Sequence, residues 1–196
     1  MADTLMRRSP LHAHLSRLAE LPASTSVSDE AFFTMVEVWV DPAGPGGAAA
    51  AAVLGVDALP TAPSTVVDGS DVSVIWFGPQ EWLAVSATRD SEDLEAALRD
   101  AVAAHGGAAV DVSAQRTSVR LRGTQARALL AKGCALDLHP QVFGPGNAAQ
   151  TVLGRAGVVL VPMSDDGADY RIIVRSSFAR YLADWLIDAA EEFHHH

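Results

Sequence analysis

Few residues in this chain have the type and spacing for chemistry. Cys134 follows Gly133 at the end of an apolar stretch, next to the single lysine, Lys132. A reactive thiol needs a lowered pKa, and a helix C-terminus offers a dipole of the wrong sign, so a buried, inert cysteine is the expectation. Lys132 as a Schiff-base lysine would need an apolar pocket; in the last turn of a helix it more simply answers the dipole. His12 and His14 form a His-x-His pair, but metal ligation requires further ligands held rigidly. In Asp137-Leu138-His139-Pro140 an acid two residues from a histidine could orient it. An Asp-held turn fixed by Pro140 explains the same residues and is preferred. His105 ends the apolar face of a helix and reads as a cap or a half-buried packing residue. The Gly44–Gly47 run lacks the lysine and acid of a phosphate cradle and reads as a loop. No Gly-x-Gly-x-x-Gly after a strand, P-loop or nucleophile elbow is present. No catalytic, cofactor-binding or metal-ligating residue is therefore assigned.

These residues need elements to position them. From Phe32 to Val40 the chain reads as a strand buried on both faces. Ala48–Leu54 favours a short helix ended by Gly55. Val72–Phe77 and Trp82–Ser86 form a hairpin around Gly78-Pro79-Gln80-Glu81. Asp90 or Ser91 caps a helix whose apolar face is Leu94, Leu98, Ala101, Val102 and His105, stopped by Gly106 and Gly107. A strand at Ala109–Val112 follows. Another carries Val119 and Leu121 on one face and Arg120 and Arg122 on the other. A helix at 124–132 is expected to be capped by Thr124. After a loop at about 135–147 come strands near 150–153, 158–161 and 170–174. A last helix is capped by Ser176 or Ser177, with Phe178, Tyr181, Leu182, Trp185, Leu186 and Ala189 on one face. Trp39, Trp76, Trp82 and Trp185 are read as core, since nothing separates a stacking role from packing.

This order predicts an α+β fold of two ferredoxin-like halves, with largely antiparallel sheets covered by helices. The expected organisation is an N-terminal arm at 1–29, one domain of two halves at 30–193, and a tag remnant at 194–196. The length of 196 residues suits one good-sized core. A formal net charge of -10 repels phosphate backbones and anionic membrane surfaces, so neither nucleic acid nor membrane is an expected partner. A single cysteine allows no internal disulfide and suits a reducing cytoplasm. Charged content of 19% is low enough that partners covering part of the surface would explain it, as would an alanine-rich composition bias.

Two stretches carry a family signal. Val110-Asp111-Val112-Ser113, then Val119-Arg120-Leu121-Arg122-Gly123-Thr124-Gln125-Ala126 and Leu129-Leu130, resembles the Asp-x-Ser, strand-Gly-x-x-Ala-x-x-Leu-Leu pattern of the folate-binding aminomethyltransferase superfamily. The stretch from Ala131 to Pro140, with Val142-Phe143, Pro145-Gly146 and Ala149-Gln150-Thr151, is similar to the gamma subunits of heterotetrameric sarcosine oxidases. Arg8-Ser9-Pro10-Leu11, Gly78 to Leu83, and Arg175-Ser176-Ser177-Phe178 support the same resemblance, which covers most of residues 8–190. It implies the fold of the N-terminal part of folate-dependent aminomethyltransferases. It also implies a non-catalytic gamma subunit that supports oxidative demethylation of sarcosine to glycine, yielding 5,10-methylenetetrahydrofolate or formaldehyde, and hydrogen peroxide. Its partners would be alpha, beta and delta subunits, and FAD, FMN, NAD, tetrahydrofolate and a zinc ion would sit in those other subunits. Ala114 stands where aminomethyltransferases often have a histidine. Ala135 and Leu136 follow Lys132-Gly133-Cys134 where iron–sulfur maintenance proteins continue differently. Both departures weigh against folate chemistry here. The competing expectation is a free-standing folate-binding protein, with Asp111 as the one suggestive carboxylate. For a subunit, the arm, the 135–147 loop, and the residues Arg116, Asp137, His139 and Arg175 are the expected partner contacts, because interface cores favour arginine and aromatic side chains.

Overall fold

The computed structural model describes residues 7–195. The first six residues of the expected arm and His196 of the expected tag lie outside the described residues. A 3-10 turn at His12–His14 leads into α1 (Leu15–Ala19), then β1 (Ser26–Asp29) and β2 (Thr34–Trp39). Next come α2 (Pro45–Leu54), β3 (Val66–Asp68), β4 (Ser73–Gly78), β5 (Glu81–Ser86), α3 (Ser91–Ala103) and β6 (Ala108–Asp111). The remainder is β7 (Arg116–Arg122), α4 (Ala126–Ala131), β8 (Ala149–Leu153), β9 (Ala156–Pro162), β10 (Asp169–Arg175) and α5 (Ala179–Ala190).

Two five-stranded sheets result, with strand orders β3-β4-β5-β2-β6 and β1-β7-β10-β9-β8. Every named pairing is antiparallel. In the first sheet, β2-α2-β4-β5-α3-β6 follows the ferredoxin-like order, with β3 added at the edge. The second repeats it as β7-α4-β9-β10-α5, with β8 in the added place. Its last strand is missing from that run and is supplied by β1, from the other end of the sequence. The expected α+β fold of two halves is therefore what forms, but the second half is closed by the N-terminal segment. Leu11, Leu18 and Val27 of that segment are buried in its core.

Alternation along the strands explains the layering. Val119, Leu121, Ile172 and Val174 face Leu129, Leu130, Leu182 and Leu186 of α4 and α5. Val36, Val38, Trp82 and Ala84 face Leu54, Leu94, Leu98 and Val102 of α2 and α3. Residues of the opposite parity, Met35, Ile75, Leu83 and Val85 against Val159, Val161 and Ile173, form a third core between the sheets. Helices thus lie outside and the sheets meet face to face. Trp82 is fully buried and donates Nε1–H to the Pro60 carbonyl at 2.8 Å, while Trp185 seals the close approach of Gly133 and Gly154.

Several local expectations are corrected. α2 starts at Pro45, because proline needs no N–H partner at N1 and the following glycines fit where side chains cannot. A Cβ on Gly47 would stand 2.5 Å from the Pro42 carbonyl oxygen, so the glycine run is a helix start, not a loop. α4 begins at Ala126, and Thr124 does not cap it: Gln125 occupies that place with no side-chain cap. Ser176 and Ser177 lie in a 3-10 turn, and Ser176 Oγ donates to the Ala114 carbonyl instead of capping α5. His105 lies past the end of α3 and is exposed. Asp90 does cap α3, accepting from Glu92 and Asp93 amides.

Gly123 is where the N-terminal segment is pinned to the rest. Its φ is 128°, and a Cβ there would stand 2.3 Å from the Ser24 carbonyl carbon. The adjacent Gln125 amide donates to the Ser24 carbonyl at 2.9 Å. Gly123→Ala is expected to lower unfolding stability by about 2 kcal/mol or more, since it combines a forbidden φ with a backbone clash. Urea denaturation of both chains checks this, and a change under about 0.5 kcal/mol would mean the segment is not anchored there.

Candidate partner interface

The polar chemistry of this chain concentrates in the gap between the sheets. Arg120 on β7 and Arg171 on β10 lie directly opposite one another. Like charges so placed repel. Glu30, in the link between β1 and β2, resolves the conflict. It takes Arg171 in two hydrogen bonds of 2.7 and 3.1 Å, accepts from Ser118 Oγ at 2.8 Å, and stands 3.7 Å from Arg120. Arg120 also pairs with Asp169, which Arg122 approaches at 3.3 Å. Phe33 stacks on Arg171, its ring centroid 5.0 Å from the guanidinium carbon. Burial works to raise the Glu30 carboxyl, but the bonds from Arg171 and Ser118 and the Arg120 charge outweigh it and hold its pKa below the ordinary value. Asp169 is lowered in the same way, against its burial, by Arg120 and Arg122.

Arg116 and Arg175 are brought together. Both border a hollow of about 360 Å³ between β7, β8 and β9. Arg116 is mostly buried, because Glu37 on β2 takes its guanidinium at 2.6 Å and Phe77 lies beneath it at 5.2 Å. It thus ties one sheet to the other. Arg175 is exposed. Asp137 and His139 lie elsewhere, on a shallow hollow with Arg127 and Leu136. There Asp137 accepts from the His139 amide at 2.9 Å, and His139 Nδ1 accepts from the Gln141 amide at 3.3 Å. The pair is the Asx turn favoured over an oriented histidine.

The other chemical candidates are engaged structurally. Cys134 is buried, with Sγ 3.9 Å from Thr151 Oγ1. Lys132 does not merely answer its own helix. It donates to the Ala189 carbonyl of α5, pairs with Glu192 at 2.9 Å, and sits over Phe193. His14 Nε2 and Arg17 both reach Asp184 of α5, at 3.3 and 2.8 Å. Asp111 accepts the Ser113 amide at 2.8 Å and holds a turn. Its burial opposes ionisation, and the Ser113 bonds and the Arg7 charge overcome it and lower its pKa.

Sequence reasoning gives Glu30 no role, counts Arg7 and Arg8 only as part of the expected contact arm, and places Phe32 and Glu37 in a strand buried on both faces. β2 instead begins at Thr34 and leaves Phe32 outside it. Phe32 is 47% exposed with a φ of 68°. A bulky residue pays roughly 1–2 kcal/mol for that backbone. It persists because Glu30 and Phe33 are fixed on Arg171 to either side of it. Arg7 lies over its ring at 4.7 Å. The one available signal was Phe32-Phe33 itself, two adjacent aromatics that cannot both face one side of a strand.

A family model described as the sarcosine oxidase, gamma subunit family matches residues 39–192. The sarcosine oxidase subunit gamma of Corynebacterium sp. (strain U-96) is 37% identical over 197 residues, and that of Arthrobacter sp. 33% over 194, each match covering 97% of this chain and 93% of the relative. A chain of the solved heterotetrameric sarcosine oxidase from Corynebacterium sp. U-96, in complex with pyrrole 2-carboxylate, superposes with a TM-score of 0.87 at 34% identity, covering 96% of this chain and 97% of that one. The glycine cleavage system aminomethyltransferase T of Bartonella henselae shares the fold, with a TM-score of 0.61 at 16% identity over 89% of this chain and 48% of that one.

Glu30→Gln is expected to cost about 3 kcal/mol, because it leaves two mostly buried arginines facing each other. The pH dependence follows in sign. A carboxyl lowered by folding contributes stability that is present above its unfolded pKa and is lost as pH falls through the folded one. The wild-type chain should therefore lose stability progressively below about pH 4, and Glu30→Gln should lose less over the same range. Urea midpoints between about pH 7 and about pH 3 measure both effects; identical slopes for the two chains would contradict this role for Glu30.

Proposed function

This chain belongs to the sarcosine oxidase gamma subunit family, and on that premise we propose that it is the non-catalytic gamma subunit of a heterotetrameric sarcosine oxidase. The complex would demethylate sarcosine oxidatively to glycine. It would pass the one-carbon unit to tetrahydrofolate as 5,10-methylenetetrahydrofolate, or release it as formaldehyde, and reduce oxygen to hydrogen peroxide. Alpha, beta and delta chains are the proposed partners, and FAD, FMN, NAD, tetrahydrofolate and zinc are proposed to reside in them. A cytoplasmic location is proposed on the lone Cys134. No described helix is long and apolar enough to cross a membrane.

The observation that carries this reading is the nearly end-to-end match, in sequence and in fold, to a chain of that enzyme. What supports a non-catalytic role is how the reactive groups are used. Lys132 and His14 reach α5, Arg116 joins the two sheets through Glu37, Cys134 is buried near Thr151, and Asp111 holds the Ser113 turn. A subunit built this way contributes shape, surface charge and cover to its neighbours.

The test is co-expression with alpha, beta and delta chains, gel filtration, and a peroxide assay on sarcosine. The expected result is that this chain elutes with an active flavoprotein and that its omission impairs assembly or turnover. Elution alone, with the other chains active without it, would overturn the reading. Equilibrium dialysis of the isolated chain against tetrahydrofolate is expected to show no binding at high micromolar ligand.

A further inference from the structure

One face of the molecule is positively charged, although the chain as a whole is acidic at -10. It begins in a hollow of about 240 Å³ bordered by Arg7, Arg8, Phe32, Ser113, Arg116 and Ser176. Arg116 forms the shared wall between this hollow and the larger one that Arg175 borders, so the two run on from each other. Three nearby acids are already committed. Glu30 is held by Arg171 and Glu37 by Arg116, while Asp111 holds the Ser113 turn and feels the Arg7 charge. Arg8 and Arg175 remain exposed, with no ion-pair partner among the described residues. Of the residues that border the first hollow, Arg116 and Thr117 each bury a polar atom, Nε and Oγ1, without a hydrogen-bond partner, and Thr117 is only 4% exposed. Buried polar atoms in native proteins are normally paired. Phe32 stands at the rim in a backbone conformation that bulky residues avoid, held outward. Phe178, two residues beyond Ser176, is also exposed.

We infer that this face, from Arg8 past Phe32 and Arg116 to Arg175, is the docking surface for an acidic segment of a partner subunit. The assignment rests on the subunit reading above and deepens it. Carboxylates of the segment pair with Arg8 and Arg175, and an apolar side chain packs on Phe32. A small anion would occupy one hollow only, whereas the positive strip spans two. A second copy of this chain is disfavoured by mutual repulsion between molecules of charge -10. Arginine and exposed aromatics at the centre of a strip are the composition of interface cores.

The test compares full chains carrying Arg8→Glu and Arg175→Glu together with wild type and with Arg99→Glu, a control on α3 whose guanidinium is paired at the surface. Each is titrated onto the complex assembled from alpha, beta and delta chains. Circular dichroism and thermal melting establish that the variants fold, which is expected because neither Arg8 nor Arg175 has an ion-pair partner within the described chain. The expected result is binding at least about 10-fold weaker for the double variant at about 0.1 M salt, with Arg99→Glu like wild type. Wild-type affinity should fall as salt is raised to about 0.5 M, and the double variant should lack that dependence. Wild-type affinity and salt dependence in the double variant, or an equal loss in Arg99→Glu, overturns the docking face and leaves the subunit reading standing. Failure of the wild-type chain to bind at all overturns both.

Discussion

The fold depends on one carboxylate bridging two arginines that would otherwise repel. Arg120 and Arg171 face one another across β7 and β10, and Glu30 satisfies both from the link in which the chain passes from one sheet to the other between β1 and β2. Glu30 also receives Ser118 Oγ through its carboxylate, and its amide donates to the Ser118 carbonyl at 2.9 Å. Remove that carboxylate and the link from β1 to β2 loses its side-chain anchor, while Arg171 loses its ion-pair partner and Arg120 keeps only Asp169. Geometry matters here more than charge count. A partly buried ion group is worth having only when every member is hydrogen-bonded, and in this one Arg171 and Glu30 form a fork-to-fork pair.

The same bridge connects fold to surface. With Glu30 and Phe33 both held on Arg171, the chain between them must turn sharply, and Phe32 takes the left-handed backbone and points outward. Arg116 does comparable work nearby, joining β7 to Glu37 of the other sheet while its Nε is buried without a hydrogen-bond partner. The arginines that hold the sheets together and those that make the positive face thus form one continuous system. A surface of this kind is preorganised: its central side chains are fixed before any partner arrives, so little conformational entropy is lost on docking.

Much of this was legible in the residues. The hairpin at Gly78–Glu81, the Asp90 cap and most of the apolar face of α5 are local features, decided by turn chemistry and periodicity, and they formed where expected. Phe178, expected on that face, lies instead in the 3-10 turn before α5 and is exposed. The parity of Val119 and Leu121 against Arg120 and Arg122 was also correct. What sequence could not convey is that the arginine side of that strand faces another sheet and not water, since an arginine beside solvent and one beside Glu30 look alike in a row of letters. β1 was hidden for a related reason. Ser26-Val27-Ser28-Asp29 has one apolar residue and no alternation to display, because an edge strand paired only with β7 buries little besides Val27. Thr124 was mistaken for a cap because capping depends on the backbone entering α4, which the distant Ser24 carbonyl decides. Of the four expected contact residues, Arg116 and Arg175 share one hollow, while Asp137 and His139 build a turn on another.

The most direct test of the central claim, that this is a prefolded accessory subunit joined to its partners through one positive face, is amide hydrogen exchange on the chain alone and in the assembled complex. The account requires the isolated chain to show slow exchange in β2, β5, β7 and β10, and the complex to add protection chiefly at residues 7–11, 30–34, 112–117 and 175–178. A free chain that exchanges throughout as if unfolded, or new protection confined to the 135–147 loop with the positive face unchanged, would contradict it.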